Sequence, residues 1–219
     1  MWSREVLSMI GEGILETLYM TIVSTGLAYA IGLPMGILLS VTAKDGISPN
    51  KVIYRILDAI ANIVRSIPFI ILLVLLIPFT RLVVGKSYGS TATIVPLVVA
   101  AAPYIGRMVE SSLKEVDTGV IEAARSMGAS KLQIVTKVML VEARTSLLVG
   151  ATIALGTVLG YSAMSGAVGG GGLGAIAIRY GYTRWQTDIM IVTVVLLVVL
   201  SQIFQTAGMK LAGSLDHRK

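Results

Sequence analysis

Five stretches of this chain run 15 residues or longer without a single Asp, Glu, Lys or Arg: Thr17 to Ala43, Ser66 to Thr80, Ser87 to Gly106, Thr145 to Ile178, and Ile189 to Met209. A helix rises 1.5 Å per residue, so a hydrocarbon layer of about 30 Å takes about 20 mainly apolar residues. The first, third and fifth stretches meet that length outright. The second reaches it when extended back past Arg65 to Ala59. The fourth is longer than one crossing needs, and its second half, Gly166-Ala-Val-Gly-Gly-Gly-Gly-Leu-Gly174, is a poor helix former. The sequence therefore predicts an all-α polytopic membrane protein, a single domain over residues 1–219. Its five spans fall at about 17–43, 59–80, 87–106, 145–165 and 189–209, with a non-helical or re-entrant stretch after the fourth.

Composition agrees with lipid as solvent. Hydrophobic residues make up 55% of the chain and charged residues 14%, against roughly 25% charged in a soluble domain. The excess of 18 Lys and Arg over 12 Asp and Glu would suggest nucleic acid in a soluble protein. In a membrane protein it is the ordinary enrichment of inner loops in Lys and Arg, so no nucleic-acid partner is read from it. There is no cysteine, which excludes disulfides and thiolate metal sites.

Five spans put the two termini on opposite sides. With the N-terminus outside, the inner segments hold Lys44, Lys51, Arg55, Arg107, Lys114, Arg125, Lys131, Lys137, Arg144, Lys210, Arg218 and Lys219. The outer segments hold only Arg4, Arg81, Lys86, Arg179 and Arg184, and Arg65 falls inside a span. Twelve against five predicts an N-out, C-in orientation. Glu5, Glu12 and Glu16 ahead of the first run, and the length of that run, argue against a cleaved signal.

The segment from Arg107 to Arg144 holds 11 of the chain's 30 charges in 38 residues, so it lies in water. A connection this long is usually functional or carries structure of its own. Val120, Ile121, Ala124 and Met127 share one helical face. Gly128 then supplies a helix stop, and Ser130 with Gln133 three residues on forms a capping-box pattern for a second helix striped by Leu132, Val135 and Met139. The prediction is two short amphipathic helices joined at a glycine, forming a loop of about 107–144.

No Gly-rich loop is followed by Lys-Ser/Thr, so the chain has no Walker A phosphate cradle. Gly169 to Gly174 lacks that ending, and the charge asymmetry places it outside. There is no HExxH, and the single His217 reads as an ordinary tail residue. No catalytic constellation appears, so the chain is expected not to be an enzyme and to carry no cofactor or metal of its own. Any energy for transport must come from an ion gradient or from a partner.

The loop sequence Glu122-Ala123-Ala124-Arg125-Ser-Met-Gly128-Ala-Ser-Lys-Leu-Gln-Ile-Val-Thr-Lys-Val138-Met-Leu140-Val141 resembles the EAA loop of bacterial ABC-importer permeases. The Glu, both Ala and the Gly stand at the family's spacing, while Val141 takes the place of its closing proline. Arg65-Ser-Ile-Pro68 resembles an Arg-small-x-Pro feature of amino-acid importer permeases. The segment Gly160 to Gly174 resembles the corresponding part of the methionine-importer permeases. The resemblance implies the permease subunit of an ATP-driven importer in the bacterial inner membrane, with L- or D-methionine as its solute. It also implies a homodimer, two ABC-type ATPase subunits that bind ATP and Mg, and an extracytoplasmic substrate-binding lipoprotein. Glu122, Ala123, Ala124, Arg125 and Gly128 would then form the coupling helix that docks on the ATPase.

Several other residues carry weaker signals. Arg65 lies near the inner boundary, where it can snorkel to the interface, and Asp58 seven residues earlier is a candidate polar partner. Arg107 and Glu110 read as a solvated helix end. Tyr161, Ser162, Met164 and Ser165 are candidates for the translocation path or its gate, and small residues there also suit close helix packing. The ten methionines read as apolar filler, and the prolines at 34, 68, 78, 96 and 103 as kinks. The alternative function is an ion-coupled secondary transporter or channel without an ATPase. Such proteins favour acidic residues at the bilayer midplane and paired repeats, and this sequence displays neither.

Overall fold

The structure is a computed structural model that describes residues 4–214. His217, Arg218 and Lys219 of the tail lie outside the described residues. Among the described residues the ordered elements are helices, with no strand.

Helix α1 spans Arg4–Thr42. Its 39 residues rise about 58 Å, nearly twice the hydrocarbon thickness. The first apolar run is thus the continuation of a helix that begins among Glu5, Glu12 and Glu16.

The next stretch departs from the sequence expectation. Instead of one helix over 59–80, the chain forms α2 (Lys51–Ser66), α3 (Phe69–Leu75) and α4 (Ile77–Val84). Asn50 caps α2, its side chain accepting from the Val52 and Ile53 amides at 3.1 Å. The helix stops at Ile67, whose extended conformation (φ −86°, ψ 124°) is what the ring of Pro68 imposes on the residue before it. The axes of α2 and α3 differ by 103°.

Helix α5 (Ser90–Lys114) is the centre of the bundle and packs against α1, α2, α3 and α4. Its closest partner is α1, and small residues set the approach. A Cβ added to Gly32 would sit 2.6 Å from the Ala102 carbonyl oxygen, and one on Gly36 would sit 2.5 Å from that of Gly106. Gly32 and Gly36 form a small-xxx-small stripe, the pattern by which apolar helices gain contact where lipid supplies no hydrophobic drive. Leu97, Ile105 and Val109 of α5 close the core with Met20, Ala154 and Val158.

The charged loop is shorter than the expected 107–144, because α5 runs on through Arg107 and Glu110 to Lys114. Helix α6 (Thr118–Ser126) is capped by Asp117, which accepts from the Gly119 amide at 2.6 Å. Gly128 has φ +82°, the left-handed conformation that ends the helix. Ser130 and Gln133 make the reciprocal capping box and open α7 (Lys131–Gln133). A widened π-helical turn, Ile134–Met139, leads into α8 (Leu140–Glu142), and after a break at Ala143 the chain enters α9 (Arg144–Ser165).

The Gly-rich stretch is more helical than its composition suggests. After a tight turn at Gly166–Val168 the chain re-forms α10 (Gly172–Ile176) and a π-helical turn Ala177–Tyr182. The glycines serve close approach here. A Cβ on Gly174 would strike the Ala163 carbonyl, and one on Gly166 would strike the Ala175 amide, so the chain doubles back on itself at backbone distance. Helix α11 (Thr187–Ser214) completes the chain. By length and composition α1, α5, Arg144–Tyr182 and α11 can each cross a membrane, and the α2–α3 pair adds a fifth if it counts as one span.

Candidate functional site

Along α6, Glu122, Ala123 and Arg125 are exposed while Ala124 is seated in the core, and Arg125 reaches back to the turn between α1 and α2. Gly128 is exposed at the turn. The sequence stripes are only partly inward. Val135 and Met139 are buried, but Met127 is 82% exposed and Leu132 73% exposed, flanking Gly128 on both sides.

The loop is fastened from behind. The Arg125 guanidinium donates to the Ile47 carbonyl at 3.0 Å, and the Lys131 ammonium donates to the Ser48 hydroxyl at 2.9 Å. Both acceptors lie in the turn that joins α1 to α2. A cavity of about 220 Å³ sits between turn and loop, lined by Asp45, Ile47, Lys114, Glu122 and Arg125 among others.

The end of α5 is not simply solvated. Glu110 is 4% exposed, and its carboxylate accepts from Arg107 at 2.7 Å, Lys114 at 2.8 Å and the Tyr54 hydroxyl at 3.2 Å. A buried carboxylate needs such partners to offset its lost hydration. Arg107 also pairs with Asp58 at 3.1 Å. The partners of Asp58 are therefore Arg107 on a neighbouring helix and Asn62 one turn on, whose side-chain amide donates to it at 3.1 Å, while Arg65 is exposed. Sequence spacing could not reveal this, because the pairing depends on α2 lying alongside α5.

The four path candidates separate. Ser162 and Ser165 are buried, and each donates its hydroxyl to a carbonyl one turn back, Leu159 and Ser162 respectively. In the single chain they fill a helix contact. Met164 is 51% exposed. Tyr161 is half-buried and stacks on Phe69, with ring centroids 4.5 Å apart and planes within 6°. Phe69 carried no signal in the sequence beyond its place after Pro68.

At the opposite end of the bundle, the Glu16 carboxylate accepts from the Gly172 amide at 2.6 Å, and the Thr17 hydroxyl accepts from the Leu173 amide at 2.9 Å. These contacts satisfy the start of α10 from α1. An open cavity of about 720 Å³ lies beside them, lined by Glu12, Glu16, Tyr88, Arg179 and Tyr180. The acidic pair stands at i, i+4 ahead of the first apolar run, which is the only sequence trace of it.

A bundle of long apolar helices carrying one exposed, glycine-hinged helical loop defines a polytopic transport component of a membrane. Residues 32–209 match the binding-protein-dependent transport system inner membrane component family, and the chain belongs to it. It is 50% identical to the probable D-methionine transport system permease protein MetI of Vibrio cholerae serotype O1, over 93% of this chain and 90% of that one. To the D-methionine transport system permease protein MetI of Escherichia coli K12 it is 55% identical, over 75% of this chain and 76% of the other. Among solved structures, the MetNI methionine ABC transporter in inward-facing conformations superposes with a TM-score of 0.97 at 51% identity, covering 99% of this chain and 100% of that one. An amino acid ABC transporter at 19% identity and a TM-score of 0.74 shares the fold. The resemblance read from the EAA-type loop and from Gly160 to Gly174 agrees with these matches.

Proposed function

We propose that this chain is the membrane-spanning permease subunit of an ATP-driven methionine importer, taking the D- or L-form. The observation that carries the reading is identity of 50% sustained over 93% of the chain with a D-methionine permease. Two copies form the path, and each α6–α7 loop docks on one of two separate ABC-type ATPase subunits that bind ATP and Mg. A substrate-binding lipoprotein delivers the solute on the far side. The N-terminus lies outside and the C-terminus on the ATPase side, as the Lys and Arg asymmetry supports.

The loop geometry suits docking. Glu122 and Ala123 face out, Met127 and Leu132 are uncovered, and Gly128 fixes the angle between the two short helices. ATP binding closes the ATPase pair and moves the loops together, which biases the bundle between two access states. Tyr161 and Met164 are the residues proposed to border the path, with Ser162 and Ser165 packing behind them.

The test is uptake of labelled methionine by cells stripped of their own methionine importers and given this chain with its ATPase and receptor. Uptake that requires all three components supports the reading. Uptake by this chain alone, driven by an ion gradient, overturns it. Gly128→Asp is expected to leave the chain inserted and abolish uptake while the ATPase still hydrolyses ATP; wild-type uptake by that variant would refute the coupling role of the loop.

A further inference from the structure

The contacts behind the coupling loop have a consequence beyond docking. The turn of residues 43–50 is compact: the Gly46, Ser48 and Asn50 amides donate to Ala43, Val41 and Thr42 at 3.0 Å each. Arg125 and Lys131 fasten this turn to the loop, at Ile47 and Ser48. Asn50 caps α2 directly from the turn, so turn and helix are continuous. The base of α2 is then held to the end of α5 by Tyr54 on Glu110 and by Asp58 on Arg107.

One face of α2 packs on α1, with Ala61 buried against Met35 and Leu39, while Ile53, Ile56, Ile60 and Ile63 are exposed along the other. A helix of 16 residues is a rod about 24 Å long, so a shift at its base is carried to its far end. It ends at the Ile67–Pro68 break, and the first residue beyond is Phe69, stacked on Tyr161. Tyr161 belongs to α9, which leaves the same loop through α8. Two routes from the coupling loop therefore meet at one aromatic pair.

We propose that Arg125 and Lys131 are positioning residues that lock the coupling loop to the 43–50 turn, so that turn and α2 move with the loop and carry its displacement to Phe69 and Tyr161. This rests on the importer reading above. Coupling along such a set of contacts is measured as interaction energies, and a chain without cysteine accepts engineered thiols at chosen positions.

The experiment uses the whole transporter in proteoliposomes, with ATPase and receptor free of reactive thiols. Ser48→Cys and Lys131→Cys are introduced together and joined by a short bis(methanethiosulfonate) reagent, which forms a disulfide with each thiol by releasing methanesulfinate and is cleaved by a reductant. Uptake is expected to fall in the unlinked double variant and to recover when the link is made. Uptake that is lost on linking and regained on reduction would show that turn and loop must separate, which overturns the proposal. No effect in either state would overturn it as well.

Arg125→Ala is expected to lower uptake about tenfold while the ATPase is still captured, with partial rescue by Arg125→Lys. Unchanged uptake refutes the role, and loss of ATPase capture reassigns Arg125 to the docking surface. A double-mutant cycle of Arg125→Ala with Phe69→Leu should be non-additive, since residues sharing one pathway couple; additive losses remove the link to Phe69. If the unaltered permease captures no ATPase, the importer reading itself fails, and that result is visible before any variant is made.

Discussion

Alanine at two glycines of the same helix should move stability in opposite directions. A Cβ on Gly36 would lie 2.5 Å from the Gly106 carbonyl oxygen and 2.5 Å from the Val109 Cβ, where ordinary contact begins near 3.4 Å. The neighbours are a backbone carbonyl and a β-branched side chain, neither of which can swing aside. Helices α1 and α5 must part locally by most of an ångström, and such overpacking costs about 1–3 kcal/mol. Alanine recovers up to about 1 kcal/mol of helix propensity over glycine, which leaves Gly36→Ala destabilised by up to about 2 kcal/mol, with the upper part of that range expected because two rigid neighbours clash. Gly26 lies in the same helix, and its Cβ would meet nothing within 4 Å. There only the propensity gain operates, so Gly26→Ala should be stabilised by up to about 1 kcal/mol. Thermal unfolding of the purified permease in a mild detergent, followed by circular dichroism, reads both. The expected order is Gly26→Ala at or above the parent and Gly36→Ala below it. If Gly36→Ala melts with the parent, or if both variants shift the same way, the close-approach account of the α1–α5 contact is wrong.

Glu110→Gln keeps the shape of the buried carboxylate and removes its charge from Arg107 and Lys114. Because both cations are partly exposed, solvent screens the loss, and about 1–2 kcal/mol is expected instead of the 3–5 of a wholly buried pair. A melting temperature equal to the parent's at low salt would refute the network's role. Gly128→Ala faces open space, so its cost is backbone strain alone, about 1–2 kcal/mol. ATPase capture should weaken more for Gly128→Ala than for Gly128→Asn, since asparagine tolerates φ above zero; equal capture would remove the geometric argument. Ser130→Ala deletes half of the capping box at a cost of about 1 kcal/mol, confined to the loop. Faster amide exchange over residues 130–139 with an unchanged global melting temperature is the expected signature, and unaltered exchange would count against it.

The local signals in the loop were legible because they are short-range. The stop at Gly128 and the reciprocal capping of Ser130 by Gln133 each depend on a few consecutive residues, and both are present. Pro68 was visible as a kink, but its consequence was not, since a proline dictates that a helix ends and not the 103° at which the next begins. The apolar stripes were legible, but not that Met127 and Leu132 stay exposed, because periodicity places side chains on a face without saying what covers it. Glu110 was misread for the same reason: it is buried where α2 packs on α5, and its partner Tyr54 lies 56 residues away in the chain.

The sequence alone determined the solvent and the class. Charge-free runs long enough to cross hydrocarbon leave no soluble fold open, because lipid tolerates so few unpaired charges and water demands so many. The spaced Glu, Ala and Gly of residues 122–128 named the family, since docking chemistry is carried by a few contiguous side chains. Only the tertiary structure decided how the loop is braced, by Arg125 on Ile47 and Lys131 on Ser48, across 78 and 83 residues of chain. It likewise decided that Phe69 meets Tyr161 and that Glu16 caps the start of α10. Those contacts depend on which helices lie side by side, and in a bundle where nearly every helix is apolar, the hydrophobic pattern is too uniform to say.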